Sequence, residues 1–260
     1  MAADWLDLLG ASLGGGLVVK ILDCLYQEYK LRSESYKSAK MLVTKHLDPI
    51  LKSADELVGK VRSLAQSDFR ELTNNSTPVN YEFKDWLPYL DTLYLFAQFW
   101  SRIQNLRIES VFVNLSAHKR GEQLLTFIRA FEAKRTRLIG RAWQRAIGET
   151  LLKYRGDSLS VMTYAEFVDH FLSDKKMQKW FQPLIFILTR MNHTRERQRL
   201  LTYGVILHAL IDTLDSNYQV THKRPGWPNK LTTRSKRNLR SRVFRVYLPF
   251  VKSPDRYFTV

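Results

Sequence analysis

Between Lys223 and Arg245 the chain carries nine basic residues and no acid, and no acid lies anywhere between Asp215 and Asp255. Arg234, Lys236, Arg237, Arg240 and Arg242 form the densest part and are the candidate anion-binding residues. Guanidinium forks match phosphate and carboxylate geometry, and like charges this crowded repel one another unless an anion sits among them. Residues 216–260 hold eleven Lys and Arg against one Asp, which is +10 of the total +16. Trp227, Phe244 and Tyr247 interleave with these cations, as aromatic rings do where exposed bases stack.

Other chemistry-bearing residues form weaker patterns. The six histidines make no zinc-binding His-Glu-x-x-His helix, and His208 with Asp212 has the i,i+4 spacing of a local hydrogen bond. Gly14-Gly15-Gly16 lacks the Lys-Ser/Thr of a phosphate loop, and no Gly-x-Ser-x-Gly elbow is present. Cys24 is the only cysteine, so the chain has no intrachain disulfide and no cysteine-based zinc site. No cofactor, metal or small-molecule substrate is implied. Arg145 and Glu149 have the spacing of a pair across one helical turn. Arg137, Arg141 and Arg145, stepping by four, predict a basic helix face.

The elements that must position these residues read as helices. Hydrophobic residues make up 45% of 260 residues and charged ones 25%, while only 11 Gly and 8 Pro punctuate them, which disfavours a fold of many short strands. The spacing predicts a helix to about His46, then a second from Pro49 to about Leu72 with Asp48 as its cap. A core helix is expected over residues 85–109, and another over 120–154, closed by the turn Gly156-Asp157. Thr163 with Glu166 is a capping box opening the next helix. Further helices are expected over Lys176–Met191 and Thr194–Leu214. Asn74 to Pro78 reads as a loop, and Val243–Val251 as a lone edge strand. The fold class is all-α, an elongated multi-helix bundle with a basic, largely irregular tail.

The N-terminus adds a candidate membrane segment. Leu8 to Val19 is uncharged, and if Lys20 pairs with Asp23 the stretch from Trp5 to Tyr26 is about long enough to span, with aromatic residues at both ends. Residues 1–19 contain no Lys or Arg and residues 20–45 contain six, which places the body on the cytoplasmic side. The alternative is an ordinary amphipathic helix. The organisation expected is 1–26 hydrophobic helix, 27–215 helical body and 216–260 basic tail projecting from it.

Three segments carry a resemblance: Leu47-Asp48-Pro49-Ile50-Leu51 with Ala54-Asp55-Glu56-Leu57, Tyr94 to Trp100, and Gln144 to Glu149. Over residues 5–155 the chain resembles an uncharacterised group of bacterial proteins with a short N-terminal hydrophobic helix and a helical cytosolic body. The resemblance implies the anchor and the fold class, and no activity. The leading expectation is a non-enzymatic, membrane-associated protein, single-pass or peripheral, whose basic cytosolic surface binds anionic lipid or a protein partner. The alternatives are a soluble nucleic-acid-binding protein that uses the tail, and an enzyme with an unrecognised site.

Overall fold

The computed structural model describes residues 4–73, 83–227 and 230–258, with residues 4–22 and 83–85 described by backbone alone. The predicted loop Asn74–Pro78 lies outside the described residues. Helix α1 runs unbroken from Asp4 to Gln66 and so passes through Pro49. The break expected at residues 46–49 is therefore corrected. Proline removes one backbone donor, but Leu47, Ile50, Leu51 and Ala54 are all buried and hold both flanking turns against the same core. The stripe continues through Leu57, Val58, Val61 and Leu64, buried as its spacing requires.

No helix among the described residues is long and apolar enough to cross a membrane, so the transmembrane segment expected near Trp5 to Tyr26 is also corrected. Asp7, Lys20 and Asp23 carry charge within that stretch, and the uncharged run between the first two, Leu8 to Val19, is too short to span. Side chains from residue 23 to Arg32 are exposed, and α1 joins the core only from Ala39 onward.

The short α2 (Arg70–Thr73) leads to α3 (Phe83–Glu109), the core helix, in which Trp86, Tyr89, Leu93, Phe96 and Phe99 are fully buried. Two helices, α4 (Lys119–Glu132) and α5 (Arg141–Thr150), replace the single one expected over 120–154. Strands β1 (Leu152–Arg155) and β2 (Ser158–Val161) then pair antiparallel, Leu152 opposite Val161. Gly156, at φ 61°, makes the turn that the sequence reading used to stop a helix; it reverses a strand instead. α6 (Tyr164–Ser173) opens on the predicted capping box, with both the Thr163 and Glu166 bonds present. α7 (Lys175–Leu188) and α8 (Thr194–Leu214) complete the body, and the fold is all-α apart from the hairpin. α8 packs against α1 and α4, and its Tyr203 accepts the Trp100 indole N–H at 2.8 Å and packs on Phe96 and Phe131.

The C-terminal residues do not project. α9 (Thr233–Asn238) runs into a π-helical stretch, Leu239–Phe244, and α10 (Arg245–Tyr247). Trp227, Leu239, Val243, Phe244, Leu248, Tyr257 and Phe258 enter the same core as α1 and α8. The edge strand expected at Val243–Val251 is thus corrected: the spacing of Leu239, Val243, Phe244 and Leu248 puts all four on one helical side facing the body. Two polar ties hold the connection down. Asp55, on α1, accepts from Arg224 Nε at 2.8 Å and lies 2.6 Å from His222 Nδ1. Burial pushes the Asp55 carboxyl up, but Arg224 and His222 more than offset it and its pKa falls below the ordinary value. Asp215 accepts the backbone N–H groups of Gln219, Val220 and Thr221, which shapes the turn after α8.

Candidate anion-binding cleft

Three segments distant in sequence meet around a cleft of ≈ 800 Å³. The first wall is the connection between α4 and α5. It forms because Ala133 ends α4 with extended backbone and Thr136, buried, donates its hydroxyl to the Ala130 carbonyl. With Leu138 and Ile139 sunk in the core, Arg135 and Arg137 are left on the cleft side. The second wall is the start of α8, where Thr194, Gln198 and Thr202 step by four beside Arg195 and Arg199, making two adjacent rows on one face. The third is α9 and the π-helical stretch, which supply Arg234, Ser235, Asn238 and Arg242.

Two residues of α8 fasten these walls. Arg199 donates through Nη2 to the Leu138 carbonyl at 2.6 Å, closing the second wall on the first. Gln198 donates to the Lys230 carbonyl at 2.9 Å and accepts from the Thr232 backbone N–H at 3.0 Å, closing the second on the third. Thr232 is in turn the N-cap of α9, so the amide that positions this wall also starts its helix.

Six arginines and no carboxylate line the cleft, and among the described residues none of the six makes a salt bridge. Burial lowers the pKa of Arg199 from its ordinary value; neighbouring Arg195 pushes it the same way, Glu196 opposes, and Arg137 adds to the lowering. Elsewhere the chain does pair its cations. Glu132 receives Arg145 through two bonds of 2.9 Å and Arg107 at 2.8 Å, bolting α3, α4 and α5 together. This corrects the expected Arg145–Glu149 pair; Glu149 accepts instead from Gln104 at 3.2 Å. The expected basic face also dissolves, since Arg137 belongs to the loop and only Arg141 and Arg145 to α5.

Of the five residues singled out from the sequence, Arg234 and Arg242 line the cleft. Arg240 is engaged elsewhere, bound to Asp255 at 2.9 Å and set over the Phe258 ring. Lys236 and Arg237 follow α9 outside the lining. Trp227 and Phe244, expected to meet bases, are core residues at 4% and 2% exposure, and Tyr247 is half-buried. The sequence reading passed over Arg135, Arg195 and Arg199. The legible signal was the i,i+4 pair Arg195 and Arg199 at the start of a helix whose next turns are apolar. Comparison with protein families, curated proteins and solved structures returned no match.

Proposed function

We propose that the chain binds nucleic acid, holding the phosphate backbone in the arginine cleft. The observation that carries the reading is the set of six guanidiniums on three chain segments with no carboxylate among them. A single phosphate engages few such groups, whereas a row of phosphates reaches along the wall. The +16 net charge extends the attraction beyond the cleft and steers a polyanion toward it. Ser, Thr, Asn and Gln donors interspersed with the arginines suit phosphate and sugar oxygens.

The test is fluorescence anisotropy with a labelled single-stranded oligonucleotide across a salt series. Each backbone contact contributes about −0.7 to the slope of log K against log salt for a single strand. Arg135→Gln with Arg234→Gln and Arg242→Gln removes three exposed members, so affinity falls and the slope flattens by about 2. Thermal stability changes little, as surface substitutions act within about 0.5 kcal/mol each. A parent protein that fails to bind, or a triple variant with the parent's affinity and slope, overturns the reading. Preferential binding to anionic vesicles overturns it in favour of a lipid ligand.

A further inference from the structure

Trp143 on α5 and Trp180 on α7 stand together on the surface, 39% and 45% exposed, with ring centroids 5.5 Å apart and planes inclined at 59°. Trp86, Trp100 and Trp227 are buried, and neither member of this pair belongs to the core cluster. The Trp143 ring lies beside the N-cap of its own helix, where a Cβ on Gly140 would stand 3.2 Å from its Cδ1. Gly140 lies three positions after Arg137 of the cleft wall, a reach of at most about 11 Å. The rim is cationic, with Arg141, Lys176 and Lys179 exposed, and Lys176 lies four residues before Trp180 on the same face of α7. Asp174, the nearest acid on α7, is occupied capping the backbone N–H of Lys176 at 2.8 Å.

We propose that Trp143 and Trp180 are a stacking platform for bases of a single-stranded nucleic acid whose phosphates continue into the arginine cleft, an inference that rests on the backbone-binding reading above. The two indoles are tilted at 59° to one another, so no single plane covers both π faces and bases would meet them separately. Successive bases meet such faces only when they are splayed apart, which a single strand permits and a duplex, with its bases stacked inside, does not. The cations around the ring pair draw in the backbone, and the rings hold bases of any identity, because every base has a π face.

The experiment compares an oligothymidylate with an abasic deoxyribose-phosphate oligomer of the same length, titrated into the full chain and followed by tryptophan fluorescence and by anisotropy. The parent binds the oligothymidylate about tenfold more tightly than the abasic strand, with quenching only by the former. Trp143→Leu with Trp180→Leu keeps apolar bulk, retains the parent's affinity for the abasic strand, and loses the tenfold preference. Phenylalanine at both positions restores part of it. Equal binding of both oligomers by the parent, or an undiminished preference in the leucine variant, overturns the platform while leaving the cleft standing. If neither oligomer binds, cleft and platform fall together. Tighter binding to a duplex than to the single strand also sinks the platform.

Discussion

His208 is 2% exposed on α8, with Nδ1 accepting the Trp227 indole N–H at 3.3 Å and Nε2 3.7 Å from the Asp212 carboxylate. Burial holds its pKa down at about 4; Asp212 pulls it upward, while Arg62, Arg256 and Arg224 oppose protonation. The folded protein therefore keeps this ring neutral, and between an ordinary histidine value of about 6.5 and about 4 only the unfolded chain takes the proton. Stability conferred by the neutral ring is complete above about 6.5 and declines as the pH falls through that window, on the order of 1.4 kcal/mol per pH unit at steepest. Urea unfolding of the parent and His208→Gln over pH 7 to 4 is expected to show a flatter profile for the variant; an unchanged slope would count against His208 as the titrating group. At this scale the sequence was half legible. The i,i+4 spacing of His208 and Asp212 was visible, but Asp212 instead accepts from Tyr218 at 2.9 Å and Arg256 at 2.6 Å, and Trp227 lies nineteen positions away.

Local periodicity told most about the elements and least about their ends. The stripe Leu47 to Leu64, the core helix near residues 85–109 and the Thr163–Glu166 cap all lie in the sequence, because each depends on neighbours within one or two turns. Pro49 misled because its cost is local, whereas the burial of Leu47, Ile50, Leu51 and Ala54 that outweighs it depends on the whole core. The α4–α5 break was hidden for the converse reason: no proline marks it, Gly140 at the N-cap of α5 reads as one glycine within a helical pattern, and the turn is made by Thr136 folding back onto Ala130. Close approach of elements was also hidden. At Gly148 a Cβ would stand 2.8 Å from the Trp100 backbone, where α5 crosses α3, whereas at Gly59, mid-α1, the nearest atom is the Arg224 guanidinium at 3.4 Å. Gly148→Ala is expected to destabilise by about 1–3 kcal/mol through overpacking, and Gly59→Ala to stabilise by up to ~1 kcal/mol through helix propensity. Denaturant midpoints of the two variants moving the same way would refute the contrast.

For the molecule as a whole, the basic C-terminal segment is structural as well as cationic. Density of charge made residues 216–260 look like a tail, and it masked apolar residues whose spacing follows a π-helical stretch rather than a regular helix. Nine apolar residues of the segment are buried in the core shared with α1 and α8, each contributing about 1.5–3 kcal/mol on burial. Before the cost of ordering the segment, that sum is of the same size as the net stability of an ordinary domain, about 5–15 kcal/mol. A chain ending at Asp215 is therefore expected to lose its cooperative thermal transition, measured by circular dichroism; a truncated form that melts like the parent would mean that the segment only rests on the surface. The arginines gather from three segments for the same reason: the apolar side of the C-terminal segment docks, and its charged side becomes a cleft wall.

That cleft also sets how dissolved ions act on the fold. Six arginines line it with no carboxylate among them, on walls joined by the bonds of Arg199 and Gln198. Mobile anions gathering there shorten the reach of the repulsion to a Debye length of about 8 Å at physiological ionic strength. In a fold held by exposed ion pairs, added salt weakens attraction and costs stability. In this cleft it shields like charges from one another, and the same screening loosens the grip on a polyanion.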